Sequence, residues 1–348
     1  MIVVMYQTMK AAVLHSLRAP LVIEELPVPE PGPGELLIKV TACGVCHSDL
    51  HAVDGDWTPP PVLPLIPGHE VVGRVAKLGP GVSGFAPGEE VGVPWMFSAC
   101  GRCEFCLAGM ETVCPSGEAT GYTKPGGYAE YMLAPAAFVG KLVPGTDPYA
   151  MAPILCAGVT TYRGLKRSMA RPGQWVAVIG IGGLGHIAVQ YARAMGLRVA
   201  AVDVAEDKLA LARALGAEVT VNGAAGDAVA ELRKATGGVH GAVVTAVAAR
   251  AFEQALLMLR PGGAAVYIGL PGGKADEIRA SLSAIINGEL TIRGSNVGTR
   301  QDLNEAIAFA ANGLVKATIR TAPLAAINGI LDEMRQGKIV GRVVLKIA

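Results

Sequence analysis

The pattern of hydrophobic and polar positions changes near Cys156, about halfway along the chain. Before that point, short β-type runs such as 36–40 and 71–75 alternate with turns rich in proline and glycine. Short strands between closely spaced turns predict an antiparallel, barrel-like domain. Beyond Cys156, residues 175–179 form a continuous apolar run, which is typical of a strand buried on both faces of a parallel sheet.

Helical and strand-like patterns alternate after this run. The predicted elements are a helix over 184–195, a strand over 198–204, a helix over 205–215, and strands over 218–221, 241–245 and 264–268. Such alternation predicts a doubly wound parallel sheet with right-handed crossovers. The strand-like tail at 339–346 is expected to return to the first domain. We therefore expect one domain from 1–157 together with 296–348, and a parallel-sheet domain over 158–295.

A glycine-rich loop lies between the first predicted strand of the second domain and the helix that follows. It contains Gly180, Gly182 and Gly185, and Asp203 ends the next predicted strand. This context predicts a dinucleotide site: Gly180 permits the turn, Gly182 lets the backbone approach the pyrophosphate, and Gly185 allows close helix packing. A carboxylate at Asp203 favours NAD over NADP because it repels a 2′-phosphate. Asp203 as a helix cap, and Lys208 as a solvated lysine rather than a cofactor contact, stay as alternatives.

Four of the seven cysteines are close together in the sequence. They are Cys100, Cys103, Cys106 and Cys114. Their short spacing lets four thiolates surround one ion, which predicts a structural zinc site with no open position. An iron–sulfur site also uses four thiolates and is the alternative. Disulfides are disfavoured because the cysteine count is odd and the chain shows no secretion signal.

Composition narrows the classes of partner. The net charge is +1, and no concentrated basic stretch indicates a nucleic-acid or membrane-surface partner. Half the residues are hydrophobic, yet no uncharged apolar run reaches the about 18–20 residues of a spanning helix. We expect a cytoplasmic protein.

Three further segments carry metal-ligand residue types. They are residues 43–51, the pair His69 and Glu70, and Cys156. Catalytic zinc commonly has three protein ligands and one open position, and two cysteines with one histidine are an attested set. Spacing alone does not show that these distant residues meet, and each residue taken singly is more often structural.

Together, these motifs resemble those of the zinc-dependent alcohol dehydrogenases of the medium-chain dehydrogenase/reductase family, and most closely its bacterial, homotetrameric ethanol-type members. The motifs are Cys46-His47-Ser48-Asp49-Leu50-His51, Gly68-His69-Glu70, the four closely spaced cysteines, the run 155–160, and the glycine loop at 180–185. The resemblance implies a GroES-like barrel domain with catalytic function and a Rossmann domain. It also implies two zinc ions per chain, NAD and a homotetramer. The first eight residues have no recognised counterpart.

The resemblance also implies a role for individual residues. The catalytic zinc would be held by Cys46, His69 and Cys156, with Glu70 beside it or as an alternate ligand. Asp49 would orient His69 through the other ring nitrogen. A proton relay would run from Ser48 through the cofactor ribose to His51. Cys43 has no ligand role in the family and is interpreted as a structural thiol.

Pocket and cofactor contacts are carried over in the same way. Trp57 and Trp95 would narrow the substrate pocket, and His47 would face the cofactor pyrophosphate. The remaining implied cofactor contacts are Thr160, Gly183, Leu184, Thr245, Ala246, Val247, Gly269, Leu270, Ser295, Asn296, Val297 and Arg342.

The implied activity is reversible, NAD-dependent oxidation of short primary alcohols such as ethanol to aldehydes, through a zinc-bound alkoxide and hydride transfer. Two alternatives stay open at this point: oxidation of polyols or bulky alcohols on the same fold, and a nucleotide-binding protein without catalysis. Strands at 264–268 and 281–293 are candidates for pairing across a two-fold axis.

Overall fold

The computed structural model describes residues 7–271 and 277–347; the first six residues of the unassigned N-terminal extension lie outside this range. The chain divides into two compact units. The first comprises the described residues of Met1–Cys156, Thr299–Ile307 and Thr318–Ala348, and the second comprises those of Ala157–Gly298 and Ala308–Ala317. The stretch 308–317, which the sequence assigned to the first domain, thus falls in the second unit.

The strands and helices are numbered in chain order. The strands are β1 (Thr8–Val13), β2 (Val22–Pro27), β3 (Glu35–Val45), β4 (Glu70–Leu78), β5 (Glu90–Val93), β6 (Met96–Ser98), β7 (Glu118–Ala119), β8 (Tyr131–Pro135), β9 (Gly140–Lys141), β10 (Trp175–Ile179), β11 (Arg198–Asp203), β12 (Val219–Asn222), β13 (Val239–Val244), β14 (Leu259–Tyr267), β15 (Thr291–Gly294), β16 (Ile319–Pro323) and β17 (Arg342–Lys346). The α-helices are α1 (His47–Asp54), α2 (Glu104–Leu107), α3 (Pro148–Met151), α4 (Ala157–Arg167), α5 (Gly185–Ala194), α6 (Glu206–Ala214), α7 (Ala228–Thr236), α8 (Ala249–Met258), α9 (Leu282–Asn287), α10 (Arg300–Ala311) and α11 (Ile327–Arg335). Short 3₁₀ helices cover Glu111–Val113, Ala136–Phe138, Ala152–Leu155 and Leu324–Ala326.

The first unit is built on a seven-stranded sheet in the order β16-β17-β3-β4-β5-β9, with β8 also paired to β3. All of its pairings are antiparallel except that of β16 with β17. The central strand β3 changes register between Leu37 and Ile38, and again between Val40 and Ala42, which lets a long strand bend around the core. The predicted GroES-like barrel class is confirmed, and the C-terminal strand returns to this unit as expected.

The second unit contains a six-stranded parallel sheet in the order β12-β11-β10-β13-β14-β15. The central strand β10 is buried at every position, as its uninterrupted apolar sequence predicts. From β10, the sheet extends through β11 to β12 on one side and through β13 and β14 to β15 on the other. The loop after β10 therefore lies at the topological switch point, where doubly wound sheets bind ligands. The predicted Rossmann class is confirmed.

The prediction for 281–293 is wrong in part. Ser281 caps helix α9, accepting a hydrogen bond from the backbone N–H of Ala284, and only β15 is a strand in this stretch. Residues 264–267 belong to β14, which has a strand on each side and offers no free edge. Within the described residues, no helix combines the length and apolar character needed to cross a membrane.

Candidate active site and metal centres

Four buried side chains of the first unit converge at one point. They are Cys46, His69, Glu70 and Cys156, and their ligand atoms all lie within 4.8 Å of one another. Each comes from the end of an element: Cys46 precedes α1, His69 and Glu70 stand at the start of β4, and Cys156 follows a 3₁₀ helix. The structure thus brings together three segments that the sequence singled out without showing that they meet.

Asp49 connects two of these side chains. One carboxylate oxygen lies 2.8 Å from Nδ1 of His69, and the other accepts the backbone N–H of Cys46 at 2.9 Å. The hydroxyl of Tyr128 donates to the same carboxylate at 2.8 Å, and the N–H of Gly68 does so at 3.2 Å. Asp49 therefore fixes the position of Cys46 and the ring of His69 together. The expected orientation of His69 by Asp49 is confirmed.

The remaining nitrogen of His69 is free to bind a metal. Nε2 of His69 is buried and has no hydrogen-bond partner, and the same is true of Oε2 of Glu70. Proton sharing between the two thiols lowers the pKa of Cys46 well below its ordinary value and raises that of Cys156. An orphaned imidazole nitrogen beside two sulfur ligands fits zinc with an open position.

Glu70 is paired with Arg342, which lies on β17. Burial raises the pKa of Glu70 to about 8 even though the guanidinium of Arg342 donates a hydrogen bond to its Oε1. Arg342 itself is only 4% exposed. The resemblance implies that Arg342 contacts the cofactor, and the structure shows one nitrogen of its guanidinium donating to Glu70. A Cβ at Gly44 would lie 1.8 Å from Oε2 of Glu70, so the glycine makes room for this carboxylate.

The four closely spaced cysteines form a second group. The ligand atoms of Cys100, Cys103, Cys106 and Cys114 lie within 4.8 Å of one another, and all seven cysteines of the chain are free rather than disulfide-bonded. Backbone N–H groups of Arg102 and Cys103 lower the pKa of Cys100 to about 6. Backbone donors that favour thiolate and four converging sulfurs fit a closed tetrahedral zinc site.

The implied relay residues lie on α1. The hydroxyl of Ser48 is 3.8 Å from the sulfur of Cys46, and His51 follows one turn later on the same face of the helix. Nδ1 of His51 lies 2.8 Å from a carboxylate oxygen of Asp56. His47 is exposed, and its ring centroid is 6.5 Å from that of His51. Cys43 is fully buried and donates to the carbonyl of Gly44, as a structural thiol would.

An aromatic wall stands beside the catalytic cluster. The ring centroid of Trp95 is 4.8 Å from that of His69 in an edge-on arrangement, and Trp57 packs edge-on against Trp95 at 6.0 Å. Tyr122 lies 5.8 Å from both indoles and donates to the carbonyl of Pro59. Sequence reasoning missed Tyr122, because the turn-rich stretch around it carries no signal that it reaches the two tryptophans.

The glycine loop of the second unit has two kinds of glycine. A Cβ at Gly185 would lie 1.9 Å from the carbonyl oxygen of Gly180, and Gly180 itself has φ +93°, so both positions require glycine for the fold. A Cβ at Gly182 would meet nothing within 4 Å. The open space at Gly182 fits the close approach of a phosphate group to the backbone at the start of α5.

Asp203 is held against this loop. One carboxylate oxygen accepts the N–H of Ile181 at 2.5 Å, and the other accepts the N–H of Ala205 at 3.0 Å. Each carboxylate oxygen can accept more than one hydrogen bond, so capacity remains for ribose hydroxyls. Asp203 is therefore a cap for the turn before α6 and also a fixed negative charge beside the dinucleotide loop.

The other implied cofactor residues of the second unit lie on α4, on α6, or near the ends of the strands. The hydroxyl of Thr245 bonds the glycine loop through the carbonyl of Gly180. The hydroxyl of Ser295 is buried without a partner, and Thr160 is 7% exposed. The remaining positions are Gly183, Leu184, Lys208, Ala246, Val247, Gly269, Leu270, Asn296 and Val297, of which Val247 and Leu270 present more than half of their surface to solvent.

Comparison with known proteins follows the same division of the chain. Residues 32–144 match the family described as alcohol dehydrogenase GroES-like domain, and residues 183–312 match the family described as zinc-binding dehydrogenase. An alcohol dehydrogenase from Moraxella sp. (strain TAE123) is 55% identical over 337 residues, which cover 97% of this chain and 99% of the relative. The chain belongs to the zinc-binding alcohol dehydrogenases.

A second alcohol dehydrogenase, from Geobacillus stearothermophilus, is 51% identical over 339 residues, which cover 97% of this chain and 99% of that relative. A solved structure described as an NAD-dependent alcohol dehydrogenase has a TM-score of 0.90 at 32% identity, covering 97% of this chain and 100% of the other. The predicted family is confirmed, and with it the expectation of an enzyme that acts on small-molecule alcohols.

Both groups of donors suit the zinc that this alcohol dehydrogenase family binds. The buried group offers two sulfurs and an unpartnered imidazole nitrogen, and the second offers four sulfurs with backbone donors. An open set and a closed set are what catalytic and structural zinc respectively require.

Proposed function

We propose that this enzyme catalyses the reversible, NAD-dependent oxidation of short primary alcohols to aldehydes. The observation that carries the proposal is the aromatic wall directly against the catalytic cluster. The ring of Trp95 packs on the metal-binding His69, and Trp57 and Tyr122 stand around it. We expect three bulky rings beside the cluster to favour short unbranched chains, whereas a polyol would need polar partners for its hydroxyls.

The preference for NAD rests on Asp203 and Gly182. The charge of Asp203 is fixed beside the glycine loop by two backbone N–H groups, so a 2′-phosphate would meet a negative group that does not move away. The similarity to a structure described as NAD-dependent supports the same choice. We expect Gly182 to admit the pyrophosphate to the N-terminus of α5.

The chemistry divides between the bound groups and the residues of the chain. When bound, zinc supplies Lewis acidity towards the alcohol hydroxyl, and the nicotinamide supplies the hydride acceptor. Cys46, His69 and Cys156 hold the metal, and Asp49 and Tyr128 orient the ring of His69. Trp57, Trp95 and Tyr122 position the alkyl chain and exclude water.

Proton removal falls to α1. Ser48 begins the relay next to Cys46, and His51, one turn further along, is 15% exposed at its side chain and can pass the proton to solvent. A neutral imidazole has one ring nitrogen that can accept a proton and one that carries a proton, which suits a terminal proton acceptor. We infer that Glu70 and its partner Arg342 tune the charge around the metal.

We further propose a cytoplasmic homotetramer. Strand β15 pairs only with β14 among the described residues, so one of its edges is open. Exposed apolar side chains lie close to it in sequence, namely Leu282, Ile286 and Ile292. An open edge beside apolar residues favours pairing with a second copy. Light scattering after gel filtration measures the mass of the assembly directly.

Initial rates of NADH formation test the proposed activity. The substrates are ethanol, 1-butanol and sorbitol, each with NAD⁺ and with NADP⁺. We expect turnover with ethanol and 1-butanol and with NAD⁺ only. Activity confined to sorbitol would overturn the pocket argument, and equal rates with NADP⁺ would overturn the role of Asp203. An Asp203→Ser variant is the matched comparison, because removing the charge should narrow the gap between the two cofactors.

A further inference from the structure

We propose that Asp56 is a positioning residue for proton release: it holds His51 with a proton on Nδ1, so that Nε2 is left to receive the proton of the alcohol. The inference rests on the relay role proposed above for His51. It concerns a residue that neither the sequence motifs nor the resemblance singled out.

The end of helix α1 brings Asp56 back to His51. Gly55 stops the helix in the left-handed region with φ +70°, and the N–H groups of Gly55 and Asp56 both donate to the carbonyl of His51, at 2.9 and 3.1 Å. The side chain of Asp56 then lies 2.8 Å from Nδ1 of His51. A Cβ at Gly55 would approach Leu17 to 2.7 Å, so this tight turn requires glycine.

The ring of His51 is confined by its neighbours as well. The indole of Trp57 lies 5.0 Å away, centroid to centroid, and the helix places His47 at 6.5 Å on another side. With Asp56 on Nδ1 and Trp57 against the ring, the orientation of His51 is determined by two consecutive residues after the helix. Trp57 is also a wall of the proposed substrate pocket, so the relay and the pocket share this support.

The hydrogen bond determines which nitrogen carries the proton. An ionised carboxylate only accepts, so a neutral histidine bonded to it must donate from Nδ1, and its lone pair is then on Nε2. When Nε2 accepts a proton, the imidazolium is balanced by the carboxylate of Asp56 and by the C-terminal end of the helix. Loss of the Nε2 proton to water restores the same neutral form, with no change at Nδ1.

Asp56 also lines a cavity of about 500 Å³ in the first unit. The cavity contains two other carboxylates, Asp54 and Asp332, and both of these bind Arg335. Arg18 donates to the backbone carbonyl of Asp54. Asp56 is thus the carboxylate of this cavity that bonds a histidine rather than an arginine. Asp56 contacts His51 directly, His47 lies on the same helix, and Arg18, Asp54, Asp332 and Arg335 line the cavity together with Asp56.

The test compares Asp56→Asn with Asp332→Asn. Both substitutions remove one negative charge from the same cavity and keep the side-chain shape, but only Asp56 contacts His51. Asp56→Glu is the conservative variant that retains the charge. The chain has six histidines, so ¹⁵N labelling of histidine with assignment by a His51→Gln variant reports the state of each ring nitrogen.

We expect the ¹⁵N shifts of His51 to show a proton on Nδ1 in the wild type and in Asp332→Asn, and a mixture of the two neutral forms in Asp56→Asn. We expect kcat for alcohol oxidation to fall to about half or less in Asp56→Asn and to keep its wild-type value in Asp332→Asn, because only Asp56 holds the proton on Nδ1 and leaves Nε2 of His51 to accept another. Asp56→Glu should restore most of the lost rate.

An unchanged nitrogen state and an unchanged kcat in Asp56→Asn overturn the inference, and so do equal changes in Asp332→Asn. The His51→Gln variant tests the relay itself. If His51→Gln keeps the wild-type kcat, then His51 is not the proton acceptor and the proposed function, not only the role of Asp56, must be revised.

Discussion

Replacing Tyr128 by phenylalanine tests how far the support of the catalytic metal extends from its ligands. Tyr128 is fully buried, and burial raises the pKa of its phenol well above the ordinary value, so the hydroxyl stays protonated and donates to Asp49. Asp49 is itself 1% exposed and accepts four hydrogen bonds, of which one comes from His69. Tyr128→Phe removes one of these four hydrogen bonds and keeps the aromatic ring.

The expected magnitude follows from a buried, charge-assisted hydrogen bond. Its loss costs about 1.5–3 kcal/mol of the free energy of unfolding. Removing a partner from the group that orients a metal-binding histidine typically weakens metal binding by roughly 10- to 100-fold. We therefore expect zinc to leave the buried site faster in Tyr128→Phe, while the four-cysteine site keeps its own rate.

The assay is zinc transfer to a chromophoric chelator, followed over time, together with denaturant unfolding of the zinc-loaded protein. Tyr131→Phe is the matched control: the same substitution on β8, where the hydroxyl only accepts an exposed amide of Gln7 at 3.3 Å. If Tyr128→Phe matched this control in both measurements, the argument that Tyr128 supports the metal through Asp49 would be refuted.

Three further predictions concern other parts of the molecule. Gly182→Ala should fold normally because its Cβ enters only open space, and it should raise the KM for NAD⁺ at least several-fold because the Cβ occupies the space expected for the pyrophosphate. Gly185→Ala should lose more than about 1 kcal/mol of the free energy of unfolding because its Cβ meets the carbonyl of Gly180. Thermal melts and kinetics separate the two variants. In protein stripped of zinc, Cys100 should be alkylated before Cys106 at pH 7, because the pKa of Cys100 is lowered to about 6 and that of Cys106 is raised to about 12. Peptide mass spectrometry over time shows the order of alkylation, and simultaneous labelling of the two cysteines would contradict the prediction. Gly44→Ala should displace Glu70, because the new Cβ would overlap Oε2 of that carboxylate, and should therefore lower kcat. Zinc content, measured by atomic absorption, should stay near two ions per chain. Full activity would contradict the argument that Gly44 makes room for Glu70.

Features encoded within a short stretch of sequence could be predicted from that stretch. The strand β10, the glycine loop and α5 follow one another directly, so their pattern predicts both the element order and the ligand that the loop can bind. The four cysteines of the second metal group lie within 15 residues of sequence, from Cys100 to Cys114. In both cases the residues that must meet are already neighbours along the chain.

Contacts between distant segments carried no such signal. Cys46 and Cys156 were placed together only through the resemblance to a known family, and nothing in the spacing indicated that Tyr128 reaches Asp49 or that Arg342 reaches Glu70. These contacts depend on which strands lie side by side in a sheet whose strand order differs from the order of the strands in the sequence.

Two shorter-range features were open to prediction and were missed. The sequence predicts short strands and turns before Cys156, whereas Gly55 is a left-handed helix end that returns Asp56 to His51. The sequence analysis predicts a strand over 281–293, although Ser281 is a strong N-cap residue and begins α9. In both cases a capping signal was outweighed by a coarser pattern.

The position of β17 has a consequence for the order in which the two units fold. This strand lies between β16 and β3 and carries Arg342, which is 272 positions away in sequence from its partner Glu70. Most of the second unit is one continuous stretch of chain between these two segments. Because contacts between distant segments form more slowly than contacts within a continuous stretch, we expect the second unit to fold before the sheet beside the catalytic cluster closes.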